Sequence, residues 1–277
     1  MNKASSKVLL AVKWAVLILV LAAIYLPLVM IIVYSFSTSK SVGGAFGSFT
    51  FALYENLFGN TKLLTALRNT VVIGLSSATL ATILGTTASV GIHYMRKKVK
   101  SVVDTASQIT VVNAEIVTAM GFFLLIVFLR DTVHIPVNFS LWWLIITHTV
   151  ITTPYVILTV TPRLQQLNPN LLEASMDLGA GPMRSLFTVM LPQLAGAMVS
   201  GFALAFTLSL DDFVVTNVNS FGANIDTIST YVYSGLKHKM PDDIRALSTI
   251  IFVVVLTALI VYNVIKNKRA KEQAKKA

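Results

Sequence analysis

Residues 9–34 read LLAVKWAVLILVLAAIYLPLVMIIVY and carry a single charged side chain, Lys13. A helix needs about 20 mainly apolar residues to cross a bilayer. This stretch is long enough to span a membrane, too long for the apolar core of a signal peptide, and not followed by a small-residue cleavage site. The sequence therefore predicts a retained transmembrane helix near the N-terminus.

Five further stretches of the same character follow along the chain. Their approximate bounds are 70–95, 109–129, 141–161, 194–218 and 247–265. The chain is 55% hydrophobic and only 12% charged, with a mean hydropathy of +0.74, whereas soluble domains carry about 25% charged residues. These values predict an all-α, multi-pass protein of the cell membrane, with six spans in a single domain covering residues 1–277.

The basic residues indicate the orientation of these spans. Most of the 22 Lys and Arg residues lie before the first span, after the second, after the fourth or after the sixth. These segments share one side of a six-span protein, and the positive-inside rule makes that side cytoplasmic. Both termini are therefore expected in the cytoplasm. The net charge of +10 fits basic clusters at 96–100 and 266–276 beside anionic lipid headgroups, and no nucleic-acid-binding motif accompanies it.

The sequence lacks the residues that metal binding, nucleotide binding and catalysis would require. The chain has no cysteine, and its four histidines are scattered, so neither a thiolate nor a histidine metal site is expected. No Walker A pattern is present, which argues against nucleotide binding by this chain. We expect no catalytic residue, no bound metal and no bound cofactor.

The loop at 162–193 contains the most informative pattern. Asn168 suits a helix N-cap, Pro169 suits the first helical position, and Gly179 suits the left-handed position just past a helix end. These residues predict a cytoplasmic helix of two to three turns, with the fifth span beginning near Pro192. One side of this helix is formed by Leu171, Leu172, Ser175 and Leu178. Because that side is mainly apolar, either the rest of the chain or a partner protein must cover it.

This loop resembles the signature of the permease subunits of binding-protein-dependent ABC importers. The family pattern is Glu-Ala-Ala, three residues, Gly, nine residues, Ile, one residue, Leu-Pro. The chain matches its spacing throughout, with Ser175 in place of the second Ala and Val189 in place of Ile.

The resemblance implies a type I importer permease whose loop helix is the coupling helix that docks on an ATPase subunit. The implied coupling residues are Leu171, Leu172, Glu173, Ala174, Ser175, Asp177, Gly179, Leu191 and Pro192. The implied partners are a second, homologous permease, two ATPase subunits that bind ATP and Mg²⁺, and an extracytoplasmic substrate-binding protein. An amphipathic helix lying on the lipid surface is the alternative for this segment.

Three acidic residues fall within the predicted spans, where a charge is costly and suggests function. Glu115 lies in the third span, about 16 Å along a helix from Asp104. Asp211 and Asp212 lie toward the outer end of the fifth span, about 100° apart on a helix, so both cannot face one point equally. Structural alternatives remain: an interhelical hydrogen bond for Glu115, and a water-exposed or binding-protein-docking helix end for Asp211 and Asp212.

Residues 206–215, FTLSLDDFVV, and the run through Glu115 resemble the C-type permease of spermidine/putrescine importers. The resemblance covers nearly the whole chain, although residues 219–223 depart from the Gly-Pro that relatives often carry. It implies a polyamine substrate. Carboxylates suit a path for a polycation, so we expect Glu115, Asp211 and Asp212 to line it.

Other functions remain open at this point. One is an ABC permease for another solute, such as an amino acid or an oxyanion, although acids in the spans argue against an oxyanion. Another is a self-contained secondary carrier, which often shows internal repeats and broken helices, and we find no repeat between the two halves of the chain. A membrane scaffold is a third alternative and leaves Glu115 without a reason.

Three smaller features carry expectations of their own. His148 is expected to make an interhelical hydrogen bond. Trp14, Trp142 and Trp143 lie near span ends and suit interfacial anchoring. The small-residue runs at 85–89 and 195–197 suit close helix packing.

Overall fold

The structure is a computed structural model that describes residues 3–39, 44–168, 170–238 and 244–257, together with residues 260 and 264. Within these residues the chain is helical, with no strand beyond an isolated antiparallel bridge between Ser37 and Phe49. The helices are α1 (Lys3–Tyr34), α2 (Ala52–Gly59), α3 (Thr61–Tyr94), α4 (Lys97–Val112), α5 (Glu115–Asp131), α6 (Leu141–Gln165), α7 (Leu171–Asp177), α8 (Pro182–Ser185), α9 (Leu191–Asp211), α10 (Val214–Asn219), α11 (Ile228–His238) and α12 (Ile244–Thr257). The all-α prediction is confirmed.

The chain divides into two compact units, residues 1–61 with 235–277 and residues 62–234. In the first unit, α1 exposes most of its apolar side chains. Arg245 of α12 is buried and donates hydrogen bonds to the carbonyl oxygens of Ser39, at 2.7 Å, and Tyr34, at 3.4 Å. The guanidinium thereby stabilises the turn that follows α1, since the last carbonyls of a helix lack partners within it.

The second unit is built around the pairing of α6 with α9, against which α3 also packs. Its core consists of Ala78, Ala81, Val156, Val160, Leu164, Met190, Leu194 and Ala205. Val156 lies at a close crossing, because a Cβ atom placed on Gly85 of α3 would lie 2.7 Å from the Val156 Cβ, and one on Gly201 of α9 would lie 3.2 Å from the Val156 Cγ1. The expected close packing thus holds at Gly85, whereas a Cβ on Gly196 would meet nothing within 4 Å.

Four helical segments are long and apolar enough to cross a membrane among the residues that the structure describes: Val12–Tyr34, Thr61–Tyr94, Leu141–Gln165 and Pro182–Asp211. They correspond to the first, second, fourth and fifth predicted spans. The described part of the sixth is the shorter helix α12, and most of its remaining residues lie outside the described ones. The count of six spans and the cytoplasmic termini remain predictions.

The third predicted span, 109–129, is wrong as a continuous helix. Helix α4 ends at Val112, Asn113 and Ala114 are extended, and α5 begins at Glu115. The Asn113 side chain donates to the Thr118 hydroxyl at 2.9 Å, and Asn side chains that bond locally compete with helix continuation. An acidic residue also suits the first turn of a new helix.

The fifth predicted span, 194–218, is interrupted in the same way. Helix α9 ends at Asp211, Asp212 has an extended backbone, and α10 begins at Val214. The Asp212 carboxylate accepts hydrogen bonds from the backbone N–H groups of Val215, at 3.3 Å, and Thr216, at 2.9 Å. It therefore caps α10, and a side chain that caps a new helix ends the preceding one.

Pro192 is the second residue of α9, near where the sequence predicted the fifth span to begin, and a helical segment that starts at Pro182 leads directly into it. A π-helical turn, Leu186–Met190, precedes it, and the Leu191 N–H donates to the carbonyl of Leu186 five residues back. Proline lacks an N–H and its ring crowds the preceding turn. The wider turn accommodates it, and the Gln193 side chain donates to the Val189 carbonyl at 3.2 Å.

Candidate functional site

The two helix interruptions face a common cavity of about 180 Å³ in the second unit. Glu115 from the start of α5 and the pair Asp211 and Asp212 from the end of α9 line it, together with Tyr155 of α6 and Phe213. The three acids predicted to line a substrate path are therefore gathered in one place. Asp211 and Asp212 do not lie on one continuous helix, because α9 ends between them, so the 100° spacing does not apply, although the two acids still differ in environment.

The carboxylates of Glu115 and Asp211 are available to a ligand. Both residues are exposed, and within the described residues neither carboxylate makes a hydrogen bond or an ion pair. Glu115 is the first residue of α5 rather than a residue deep within a helix, so the distance estimated from Asp104 along one helix does not apply. Asp211 is the last residue of α9, where the helix dipole favours a cation.

Asp212 has a different environment from Asp211. Its carboxylate accepts the two backbone bonds of α10 and a third hydrogen bond from the Thr216 hydroxyl at 3.0 Å. Its side chain is 13% exposed to solvent. Asp212 therefore shapes the wall of the cavity, while Asp211 and Glu115 present their charge to it.

His148 makes the interhelical contacts that the sequence predicted. Its Nδ1 lies 2.8 Å from the Ser209 hydroxyl of α9, and its Nε2 lies 3.0 Å from the Thr216 hydroxyl of α10 and 3.5 Å from the Asp212 carboxylate. Ser77 of α3 donates to Ser209 at 3.1 Å. A chain of polar side chains thus runs from α3 through α6 to both sides of the α9–α10 interruption.

The far end of α10 is also fixed by side chains. The buried amide of Asn219 donates to the Ala119 carbonyl of α5 at 3.1 Å and accepts from the Trp143 Nε1 at 3.1 Å. Trp143 is 7% exposed, so its predicted role as an interfacial anchor is wrong, whereas Trp14 and Trp142 are exposed. The Asn219–Trp143 link joins α5, α6 and α10.

The predicted loop helix is present as α7, a seven-residue helix. The Asn168 side chain accepts from the Asn170 N–H at 3.0 Å, as expected of a capping residue. By the bounds of α7 the N-cap position is Asn170, whose side chain makes no capping bond. Pro169 lies outside the described residues. Gly179 adopts a φ of 86°, as predicted. The Gly179 N–H bonds the Met176 carbonyl and the Ala180 N–H bonds the Ser175 carbonyl, which is a Schellman ending.

Helix α7 packs against the rest of the second unit through one side only. Leu171 and Leu172 are half-buried, Leu172 packs against the core, and the Ser175 hydroxyl lies 2.9 Å from that of the buried Ser185. Leu178 is 89% exposed, so its predicted place on the same side is wrong, because it follows the helix and does not continue its face.

The exposed residues of this segment are acidic and apolar, with one basic residue, Arg184 of α8, beside them. The exposed side comprises Glu173, Ala174, Asp177, Leu178, Gly179, Met183 and Phe187. We call it the α7 surface. Of the other implied coupling residues, Leu191 is half-buried and Pro192 is exposed on the helix that follows.

The sequence analysis missed several cavity residues. Asn113, Tyr155 and Phe213 all line the cavity but stand out by neither charge nor motif. Asn113 and Phe213 belong to the two helix interruptions. The sequence signal that could have predicted the interruption at Asn113 is an Asn shortly before an acidic residue. Interrupted helices also occur in secondary carriers, so they do not by themselves discriminate between carrier and ABC permease.

Comparison with known proteins resolves that choice. Residues 79–268, more than half of the chain, match the family described as binding-protein-dependent transport system inner membrane component. The spermidine/putrescine transport system permease protein PotC of Haemophilus influenzae is 31% identical over 92% of this chain and 96% of its own. The putrescine transport system permease protein PotI of Escherichia coli is 31% identical over 86% of this chain and 85% of its own.

Solved structures show the same fold at lower identity. A bacterial ABC transporter for the acidic polysaccharide alginate aligns over 96% of both chains with a TM-score of 0.71 and 15% identity. An amino acid ABC transporter aligns over 78% of this chain and 96% of its own, with a TM-score of 0.53 and 16% identity. Both likenesses concern the fold alone.

The fold and the signature define a membrane-embedded transport subunit rather than an enzyme. The chain belongs to the family of inner membrane components of binding-protein-dependent transport systems. It is accordingly a multi-pass protein of the cell membrane and works with a substrate-binding protein. The alternatives of a self-contained carrier and of a scaffold are set aside.

Proposed function

We propose that this chain is the C-type permease subunit of a polyamine importer and that spermidine or putrescine passes through the cavity between its interrupted helices. The observation that carries the proposal is the convergence of Glu115, Asp211 and Asp212 on that cavity, beside the aromatic side chains of Tyr155 and Phe213. Carboxylates and aromatic faces are the groups that attract an alkylammonium chain. The names of the curated relatives support the same substrate class.

The proposed assembly contains a second, homologous permease, two ATPase subunits and an extracytoplasmic binding protein. ATP and Mg²⁺ bind to the ATPase subunits and no cofactor binds to this chain. In this proposal the chain has six spans and cytoplasmic termini, so the α7 surface lies on the ATPase side. A bacterial alginate ABC transporter of similar fold, solved in complex with a periplasmic protein that binds an alginate pentasaccharide, supports delivery of substrate from the opposite side.

In this proposal the α7 surface is the coupling surface. It exposes Leu178 and Phe187 beside the acidic Glu173 and Asp177, and a composition without a basic residue in α7 argues against lying on an anionic leaflet. ATP-driven closure of the ATPase subunits displaces α7. The core contact of Leu172 and the Ser175–Ser185 contact transmit that displacement toward α9.

The coupling role is tested by reversing the charge of Glu173. Cells without their own polyamine import would express this chain with its genomic neighbours, and uptake of labelled spermidine and putrescine would be measured. We expect Glu173→Lys to abolish uptake, while Glu55→Lys, at an exposed acid on α2, leaves it unchanged. Undiminished uptake in the Glu173 variant would show that α7 is not the coupling surface.

The substrate path is tested by neutralising the two available acids one at a time. A hydrogen bond to a charged group contributes about 1.5–3 kcal/mol, so Glu115→Gln and Asp211→Asn should each raise the KM for polyamine at least about tenfold. Asp131→Asn, at the other end of α5 and exposed, is the matched control. Unchanged KM values in both cavity variants would exclude these acids from the path, and an assembled complex without polyamine uptake would exclude the substrate class.

A further inference from the structure

His148 occupies a place that the transport function described above does not explain. It is 3% exposed and lies in α6, opposite the point where α9 stops and α10 begins. One ring nitrogen contacts Ser209 before the interruption, and the other contacts Thr216 after it. A buried imidazole is costly unless both nitrogens find partners, and here each does.

The carboxylate of Asp212 determines which group donates and which accepts in each hydrogen bond of this network. An ionised carboxylate only accepts, so the Thr216 hydroxyl donates its proton to Asp212. The His148 Nε2 must then donate to the Thr216 oxygen, and its Nδ1 accepts from Ser209. Ser77 donates to Ser209 in turn. Ser77 also lies within hydrogen-bond distance of the Gly74 carbonyl, so the ordered part of the network runs from Ser209 through His148 and Thr216 to the capping carboxylate.

This network gives the two neighbouring acids different roles at the cavity. Through Thr216, His148 keeps the Asp212 carboxylate on the first N–H groups of α10. Asp211, one residue earlier, makes no such bond within the described residues and presents an exposed carboxylate to the cavity that both residues line. Without the network, the N-terminus of α10 loses the side-chain connection to α6 that runs through Thr216.

We propose that His148 is a positioning residue for transport: it clamps the α9–α10 interruption so that Asp212 remains the cap of α10 and Asp211 faces the substrate. The proposal rests on the proposed function for its consequence in uptake, but the clamp itself is independent of which solute is carried. The clamp depends on the contact between the His148 Nε2 and Thr216, because the Thr216 hydroxyl in turn donates to the Asp212 carboxylate.

Two amide substitutions distinguish the contribution of the His148 Nδ1 contact from that of the Nε2 contact. The side-chain amide of Gln extends to the position of Nε2, whereas the shorter amide of Asn reaches only the position of Nδ1. His148→Gln therefore preserves the contact with Thr216, and His148→Asn preserves only the contact with Ser209. A residue needed merely for packing would respond similarly to both changes.

The first readout is accessibility in the complete transporter. Because this chain has no cysteine, Val214→Cys places a single thiol in it, on the first residue of α10 and in the cavity wall. A membrane-impermeant maleimide should label this thiol several-fold faster with His148→Asn than with His148, and at an unchanged rate with His148→Gln. Equal labelling rates in all three backgrounds would overturn the clamp.

The second readout is polyamine uptake, expressed per assembled complex. His148→Asn should raise the KM about tenfold with little change in the maximal rate, and His148→Gln should restore it. A loss of maximal rate shared by both variants would overturn the positioning role in favour of a packing role. Absence of polyamine uptake in the unsubstituted complex, with the labelling difference intact, would contradict the proposed substrate and leave the clamp standing.

Discussion

The crossing of α3, α6 and α9 at Val156 gives the sharpest prediction of stability. Gly85→Ala would place a methyl carbon 2.7 Å from the Val156 Cβ and 2.8 Å from its Cγ1. Non-bonded carbon atoms prefer about 3.5–4.0 Å, so the two helices must separate by about 1 Å. Movement of Val156 alone does not relieve the crowding, because Val156 is fully buried and the added methyl would also lie 3.2 Å from the Thr153 carbonyl oxygen.

The cost follows from these distances. Overpacking of this kind destabilises by about 1–3 kcal/mol, which exceeds the gain of up to about 1 kcal/mol that Ala brings to a helix in place of Gly. Gly91 on the same helix is the matched control, because a Cβ there meets nothing within 4 Å. We therefore expect Gly85→Ala to destabilise the protein and Gly91→Ala to leave its stability unchanged or slightly raise it.

The assay is thermal inactivation of the purified complex. A difference of 1 kcal/mol corresponds to about 2–4 °C for a unit of this size, so the two variants should differ by on the order of 5–10 °C. If Gly85→Ala is as heat-resistant as Gly91→Ala, the close crossing at Val156 does not exist and the reasoning is refuted.

Three further substitutions test other described contacts. Gly179→Ala forces a side chain into a φ of 86° and should cost about 1 kcal/mol and slow ATP-driven uptake, whereas Gly181→Ala, at an ordinary φ with open space around it, should not; equal uptake rates would contradict this. Asn219→Ala leaves the Trp143 Nε1 without its partner and should destabilise the complex by about 1–3 kcal/mol in the same thermal assay; unchanged heat resistance would show that the link is dispensable. Asp212→Ala removes the cap of α10 and should cost about 1–2 kcal/mol, whereas Asp212→Asn, which retains an acceptor, should cost much less; equal losses would contradict the capping role.

Hydropathy sufficed to predict the helices that are continuous. The apolar runs that became α1, α3 and α6 needed only length and composition, because any helix with such a surface must lie in lipid or in the protein core. The Gly179 ending of α7 was also predictable, since the left-handed position has a strong residue preference.

The interruptions were not predictable from the same information. An average over about 20 residues does not register one Asn at position 113 or one capping Asp at position 212, yet each redirects the backbone by bonding nearby groups. The acids of the cavity were identified because charge in a span is rare, but their different roles depend on which of them caps α10. Tyr155 and Phe213 carried no signal, since an aromatic residue in an apolar run is ordinary.

The interruption before Glu115 also bears on how the protein fits its bilayer. Helix α5 has 17 residues and so extends about 25 Å, less than the roughly 30 Å of a typical apolar core. Its outward side chains, among them Ile116, Leu124 and Phe128, are exposed. Such a short helix is best matched where the bilayer is thin, and mismatch with longer lipid chains costs free energy for each ångström of difference. With α5 as the predicted third span, we expect lipid chain length to act on the helix that carries one of the two available carboxylates.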